Sequence, residues 1–169
     1  MWHDILEKVV SMDKQIHRNT LEIVHRDKFG RLKSRDFIGF DDDLITNVGL
    51  AQAAGLLNNV VTSHFTYLAI GIGTTAAAVT DTALESEIAT GGGARAGATA
   101  SRVTTTITND TMQLVYTWTF TASFAVTEMG VFDAASAGNM YCRQVFTAKN
   151  VESGDTLQLT VKAQMSRAA

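Results

Sequence analysis

Proline is absent from the 169 residues, and cysteine occurs once. Without proline, turns must rest on the 13 glycines together with Asn and Asp, which reach positive φ cheaply. With Cys142 alone, neither an intrachain disulfide nor a cysteine metal cluster can form, so folding needs no oxidising compartment. No apolar run approaches the roughly 18 residues of a helical membrane span. Basic charge is not in excess either. The net charge is −3 and the pI near 5.7, which argues against the basic face of a duplex-binding protein. The opening Met1-Trp2-His3-Asp4 brings in an acid at once, unlike a basic then apolar secretory leader, so assembly inside the producing cell is expected.

Motifs that carry chemistry are equally scarce. Gly71-Ile72-Gly73-Thr74-Thr75 follows a strand signal but lacks the third glycine of a dinucleotide loop. Gly91-Gly92-Gly93 lacks the Gly-Lys-Ser/Thr ending of a phosphate loop and reads as a flexible loop. His3, His17, His25 and His64 are too far apart for an i, i+4 metal pair, and Asp41-Asp42-Asp43 lacks the spacing of a calcium loop. No Gly-x-Ser-x-Gly elbow occurs, and no acid–base carboxylate pair stands out. Asn109-Asp110-Thr111 fits a glycosylation sequon but has no secretory context. The expectation is a protein with no catalytic residue, cofactor or metal, and no nucleic-acid or membrane partner.

What is present divides the chain. Hydrophobic residues make up 46% and charged residues 18%, a globular composition. Residues 1–45 hold 17 charged side chains, whereas the remaining 124 hold 14 charges and 21 threonines. The division reads as an N-terminal arm over 1–44 and a β domain over 45–169.

In the arm, Ile5, Leu6, Val9, Val10 and Ile16 mark an amphipathic helix over 4–18, too short to be stable in water without a partner surface. Residues 20–28 and 31–38 read as a hairpin turning at Lys28-Phe29-Gly30. A lone hairpin is barely stable, so it must lie against something. Trp2, Ile5, Leu6, Val9, Val10, Ile16, Leu21, Ile23, Phe29 and Phe37 are the residues expected to grip a neighbouring subunit. On this division, removing 1–44 would leave the β domain folded but unable to assemble.

In the β domain, Thr46 or Asn47 caps a short helix over Val48–Leu57. Strand signals follow at 64–72, 99–108, 112–124, 126–132, 140–146 and 156–165, with one or two helical turns at 81–88. The period-two run Met112, Leu114, Tyr116, Trp118, Phe120, Phe124 is the clearest of them. Six strands with turn signals between them predict an antiparallel β-sandwich or flattened barrel. Its core is expected from Leu114, Tyr116, Trp118, Phe120, Val131, Phe132, Leu157 and Leu159. Glu128 lies on an otherwise apolar strand, where it would bond to backbone or pair with Arg143.

Five motifs carry a resemblance: Ile45-Thr46-Asn47-Val48-Gly49, Tyr67-Leu68-Ala69-Ile70-Gly71-Ile72-Gly73-Thr74-Thr75, Asp81-Thr82-Ala83-Leu84-Glu85, Thr127-Glu128-Met129-Gly130-Val131-Phe132-Asp133 and Val151-Glu152-Ser153-Gly154-Asp155-Thr156-Leu157. Over residues 44–165 the chain resembles small β-sandwich structural proteins of tailed bacteriophages, related in pattern to particle-proximal domains of some tail fibres. The resemblance implies a virion structural protein assembled in the host cytoplasm, a homo-oligomer contacting capsid, tail or neck proteins. A stand-alone domain with an arm favours a capsid decoration (cement) protein; the alternative is a tail, neck or baseplate component of fibre-attachment type. A third reading is a glycan-binding module in which an exposed Trp118 or Tyr116 stacks on sugar.

Overall fold

A computed structural model of the protein describes residues 15–40 and 45–167. Among the described residues, nine strands and one helix follow in the order β1 (Gln15–Arg26), β2 (Leu32–Phe40), α1 (Asn47–Leu57), β3 (Tyr67–Gly71), β4 (Ala96–Gly97), β5 (Thr99–Val103), β6 (Thr111–Thr119), β7 (Phe124–Phe132), β8 (Met140–Val151) and β9 (Thr156–Arg167). They form two open antiparallel sheets packed face to face, a β-sandwich. The five-stranded sheet runs β2-β1-β9-β6-β5 and the four-stranded sheet β4-β3-β7-β8.

The alternation of side chains fixes the register. Leu21 and Ile23 of β1 face Val161 and Leu159 of β9, which in turn face Leu114 and Tyr116 of β6. These residues meet Leu68, Ile70, Met129 and Val131 from the other sheet in one core cluster. Of the expected core, Leu114, Trp118, Phe120, Val131, Phe132, Leu157 and Leu159 are at most 2% exposed, while Tyr116 is half-buried and meets Trp118 edge-on. The continuously apolar character of β3 has a simple cause, since both faces of its sheet are covered. Leu68 and Ile70 enter the main core. Ala69 joins a second cluster with Leu84, Phe132 and Met140 beneath the long loop from Ile72 to Arg95.

Several expectations need correction. The hairpin does not form a separate arm. β1 is paired with β9 over its whole length, from Gln15–Arg167 to Arg26–Thr156, and lies inside the five-stranded sheet. Leu21 and Ile23, expected to grip a neighbour, are 0% exposed in the sandwich core. The helix expected to reach residue 18 gives way to strand from Gln15, because these residues extend the β9 ladder. Its first eleven residues, 4–14, lie outside the described residues, as do Trp2 and the acidic tripeptide at 41–43.

The strand expected over 112–124 is two strands in different sheets. At Phe120 the chain turns the corner, with Phe120 N donating to Asp155 O and Thr121 N to Gly91 O. Phe120 and Phe124 both point into the core from either side of this corner, 6.0 Å apart, so the period-two pattern runs through the break. The triple glycine is not a loose loop. Gly91 and Gly92 have positive φ, a Cβ on Gly92 would strike the Thr119 carbonyl, and Trp118 Nε1 anchors the segment by donating to Ala94 O at 2.8 Å.

Deletion of residues 1–44 is therefore expected to destroy the sandwich, since it removes a central strand and opens the β9 edge. Circular dichroism and thermal melting of the truncated protein should show no cooperative transition. Retention of a cooperative β-rich fold would contradict this topology.

Candidate functional site

The most elaborate polar cluster sits on the outer face of the four-stranded sheet. Alternation along β7 turns Met129 and Val131 inward and Glu128 outward, under the 72–95 loop. Glu128 is 0% exposed. Its Oε1 accepts from the Gly73 amide at 3.0 Å and the Ser86 amide at 2.8 Å. Its Oε2 accepts from the Glu85 amide at 3.1 Å and from Arg143 Nε at 2.8 Å. Arg143 Nη1 also donates to Asp81 Oδ2 at 2.9 Å. Burial pulls the Arg143 pKa down, and the bonds from Asp81 and Glu128 more than reverse it. The Glu128–Arg143 pairing expected from the adjacent strands is present.

This cluster accounts for two features of the sequence. Gly71 and Gly73 resemble a dinucleotide loop, but a Cβ at either would collide with the Glu128 carboxylate. The glycines make room for an acid. Residues 81–88 form no helix because the Glu85 and Ser86 amides donate to Glu128 instead of to helical carbonyls. Glu85 extends the network by accepting from the amides of Thr74 and Thr75, each at 2.8 Å, and these bonds hold its pKa below the ordinary value. Both Glu128 oxygens are thus committed, to three loop amides and to Arg143.

A second polar knot lies at one end of the sandwich. His25 on β1 meets Asp155 Oδ2 at 2.9 Å, and Lys33 Nζ donates to the same oxygen at 2.9 Å. Burial raises the Asp155 pKa, but the bonds from Lys33 and His25 outweigh it and hold the carboxyl down at about 2. Among the described residues, no group of three His, Cys, Asp or Glu side chains converges as a metal site. Cys142 is fully buried, and burial pushes its thiol up to about 12.

Accessible surface of a different kind lies on the outer face of the five-stranded sheet. Thr20, Glu22, Gln158, Thr160, Lys162 and Thr117 project there, and Arg35 and Phe37 flank them on β2. Phe37 is 70% exposed, with the Arg35 guanidinium 5.0 Å from its ring, and Arg35 Nε donates to Glu22 Oε1 at 2.6 Å. Thr20, Phe37, Gly39, Thr160 and Lys162 line a shallow depression. Phe29, at the hairpin tip, is 71% exposed beside Lys28 and Arg31. Of the residues expected at an assembly interface, Phe29 and Phe37 are thus available, whereas Leu21 and Ile23 are not. Trp2, Ile5, Leu6, Val9 and Val10 and the side chain of Ile16 lie outside the described residues. Trp118, at 2% exposure, has no face to offer a sugar.

Two stability predictions follow from the knots. Glu128→Gln removes one partner of a buried ion pair and sets an amide donor against amide donors, with an expected loss of about 3–5 kcal/mol. Hydrogen exchange at Gly73, Glu85 and Ser86 should accelerate before that of the sheets. For Asp155, a folded pKa near 2 against an ordinary 3.8 means its contribution is complete above about pH 4 and lost as pH falls toward 2. Acid titration of the melting temperature should show that decline, and Asp155→Asn should flatten it.

A family model described as Podophage GP4 fiber I protein gp80 matches residues 50–165, more than half of the chain. No curated protein and no solved structure matches it significantly.

Proposed function

Because the chain belongs to the podophage fiber gp80 family, a family of phage structural proteins, we propose that it is a structural subunit of a phage tail fibre, incorporated into the virion. The family match carries this reading. It favours the tail alternative over capsid decoration, the role preferred from the sequence. The geometry supports a mechanical role without catalysis. The best-buried acid is spent on loop amides and on an arginine, and the outward surface is a rigid sheet of threonine, glutamine and paired charges.

On this reading the protein works by presenting a fixed surface to other virion proteins, including further copies of itself. Phe29 and Phe37 are the exposed anchors best suited to that contact, since isolated aromatic side chains on a polar face give large contact area at low ordering cost. The hairpin keeps its place as the gripping element, but it grips from within the sandwich.

Phe29→Ser and Phe37→Ser should leave the melting temperature nearly unchanged, because both rings are in solvent. Incorporation into fibres, measured by quantitative mass spectrometry of purified particles, should fall. Normal occupancy for the double variant would remove these rings from the interface. Labelled antibody or electron cryo-microscopy of intact particles tests the placement itself, and label on the head in place of the tail would overturn it.

A further inference from the structure

The five-stranded sheet ends on an open strand. β2 lies at its edge, and among the described residues nothing pairs with the far side of its nine residues. The other edges are shorter or partly covered. β5 has five residues and β4 two, while β8 takes a bridge from Ile45 at Cys142. A long unpaired edge is a template for another strand, and proteins commonly guard it with proline or with unpaired charge. β2 has neither guard. The chain contains no proline, and each of the three charges on β2 already has a partner within the chain. Lys33 Nζ meets Asp155 and Asp36 meets Lys149 Nζ, both at 2.9 Å, while Arg35 holds Glu22 at 2.6 Å. Between these pairs Phe37 stands 70% exposed on the outer face.

We propose that β2 pairs with β2 of a second copy, antiparallel about a two-fold axis at Phe37, joining two five-stranded sheets into one. The strand's own sequence selects this occupant and this register. Directly opposite residues of an antiparallel pair share a face, so a two-fold that keeps both outer faces together must fall on a residue. Centred on Asp36, it sets Asp36 against Asp36; centred on Arg35, it sets Arg35 against Arg35. Like charges directly opposite are unfavourable. Centred on Phe37, it sets ring beside ring, a favourable cross-strand pair, with Asp36 opposite Ile38 and Arg35 opposite Gly39. A Cβ built at Gly39 meets nothing within 4 Å, so the Arg35 side chain of the second copy has room there. The two hairpin tips, with Phe29, then lie at opposite ends of the seam. The proposal names what Phe37 meets, so it rests on the reading of that ring as an assembly anchor, but not on the fibre assignment.

The purified full-length chain provides the test. Because Cys142 is buried, an introduced cysteine is the reactive one. In this register Phe37→Cys brings two thiols face to face, with Cα atoms about 5 Å apart and within disulfide range. Arg35→Cys leaves them four residues out of step along the ladder, roughly 14 Å apart. Under mild oxidation Phe37→Cys should form the linked dimer about tenfold or more faster than Arg35→Cys. Equal rates, or a faster Arg35→Cys, overturn the proposal. Phe37→Lys and Phe37→Glu should each weaken self-association, measured by sedimentation, about tenfold or more, and equimolar mixing should restore it. A mixture that stays monomeric overturns the pairing, as does a wild-type chain that sediments as a monomer at every concentration. If Phe37→Cys fails to cross-link while Phe37→Ser still lowers incorporation into particles, the ring meets a different virion protein. The strand pairing then falls and the anchor reading stands.

Discussion

The buried pair of Glu128 and Arg143 is the constraint from which much of the molecule follows. A carboxylate without water must be given donors, and here the donors are three backbone amides of the loop above it and one guanidinium from the next strand. The loop cannot be helical while those amides face the acid. The two glycines beneath cannot carry side chains, and Leu84 is held down over Phe132 and Met140 to close the second apolar cluster. An outer sheet face that could have faced water is thereby converted into interior. The same cluster explains why the outer face of the four-stranded sheet is buried, while that of the five-stranded sheet is studded with threonine and glutamine.

How much of this was legible in the sequence depended on whether the signal was local. The fold class, a helix start at Thr46 or Asn47, the period-two core of β6 and the partner of Glu128 could all be read, because each rests on local capping, alternation or neighbours in adjacent strands. The corner at Phe120 could not, since Phe120 and Phe124 keep the same parity on both sides of the bend. The purpose of the glycines could not be read in two places. At Gly71 and Gly73 the small residue accommodates a carboxylate, and at Gly92 a carbonyl, and both partners are distant in sequence. Composition misled at the hairpin. Its many charges suggested an appendage, but Glu22 and Arg35 pair on the outer face and Lys33 and Asp36 pair with Asp155 and Lys149 of the sandwich, while Leu21, Ile23 and His25 supply a full inner face at the same spacing as any other strand.

The candidate interface shows the same division. Exposure sorts the hairpin into residues that hold the fold and residues that remain available, and sequence period alone ranked them together. Leu21 and Phe37 are equally apolar, yet they lie on opposite faces of neighbouring strands: Leu21 pairs with Ile38, one residue beyond Phe37. A one-residue difference in register separates a core residue from a surface anchor.

The pairing of β1 with β9 has a mechanical consequence. The two strands are antiparallel, with Gln15 and Arg167 opposite each other at one end of the ladder. Tension applied between those two points would load the backbone hydrogen bonds one pair after another, each worth only about 1 kcal/mol net, in place of shearing twelve residues at once. The sandwich is thus zipper-like along that line and stiff across it. In an assembly under pull, load carried across the sheet faces would spare the seam between β1 and β9.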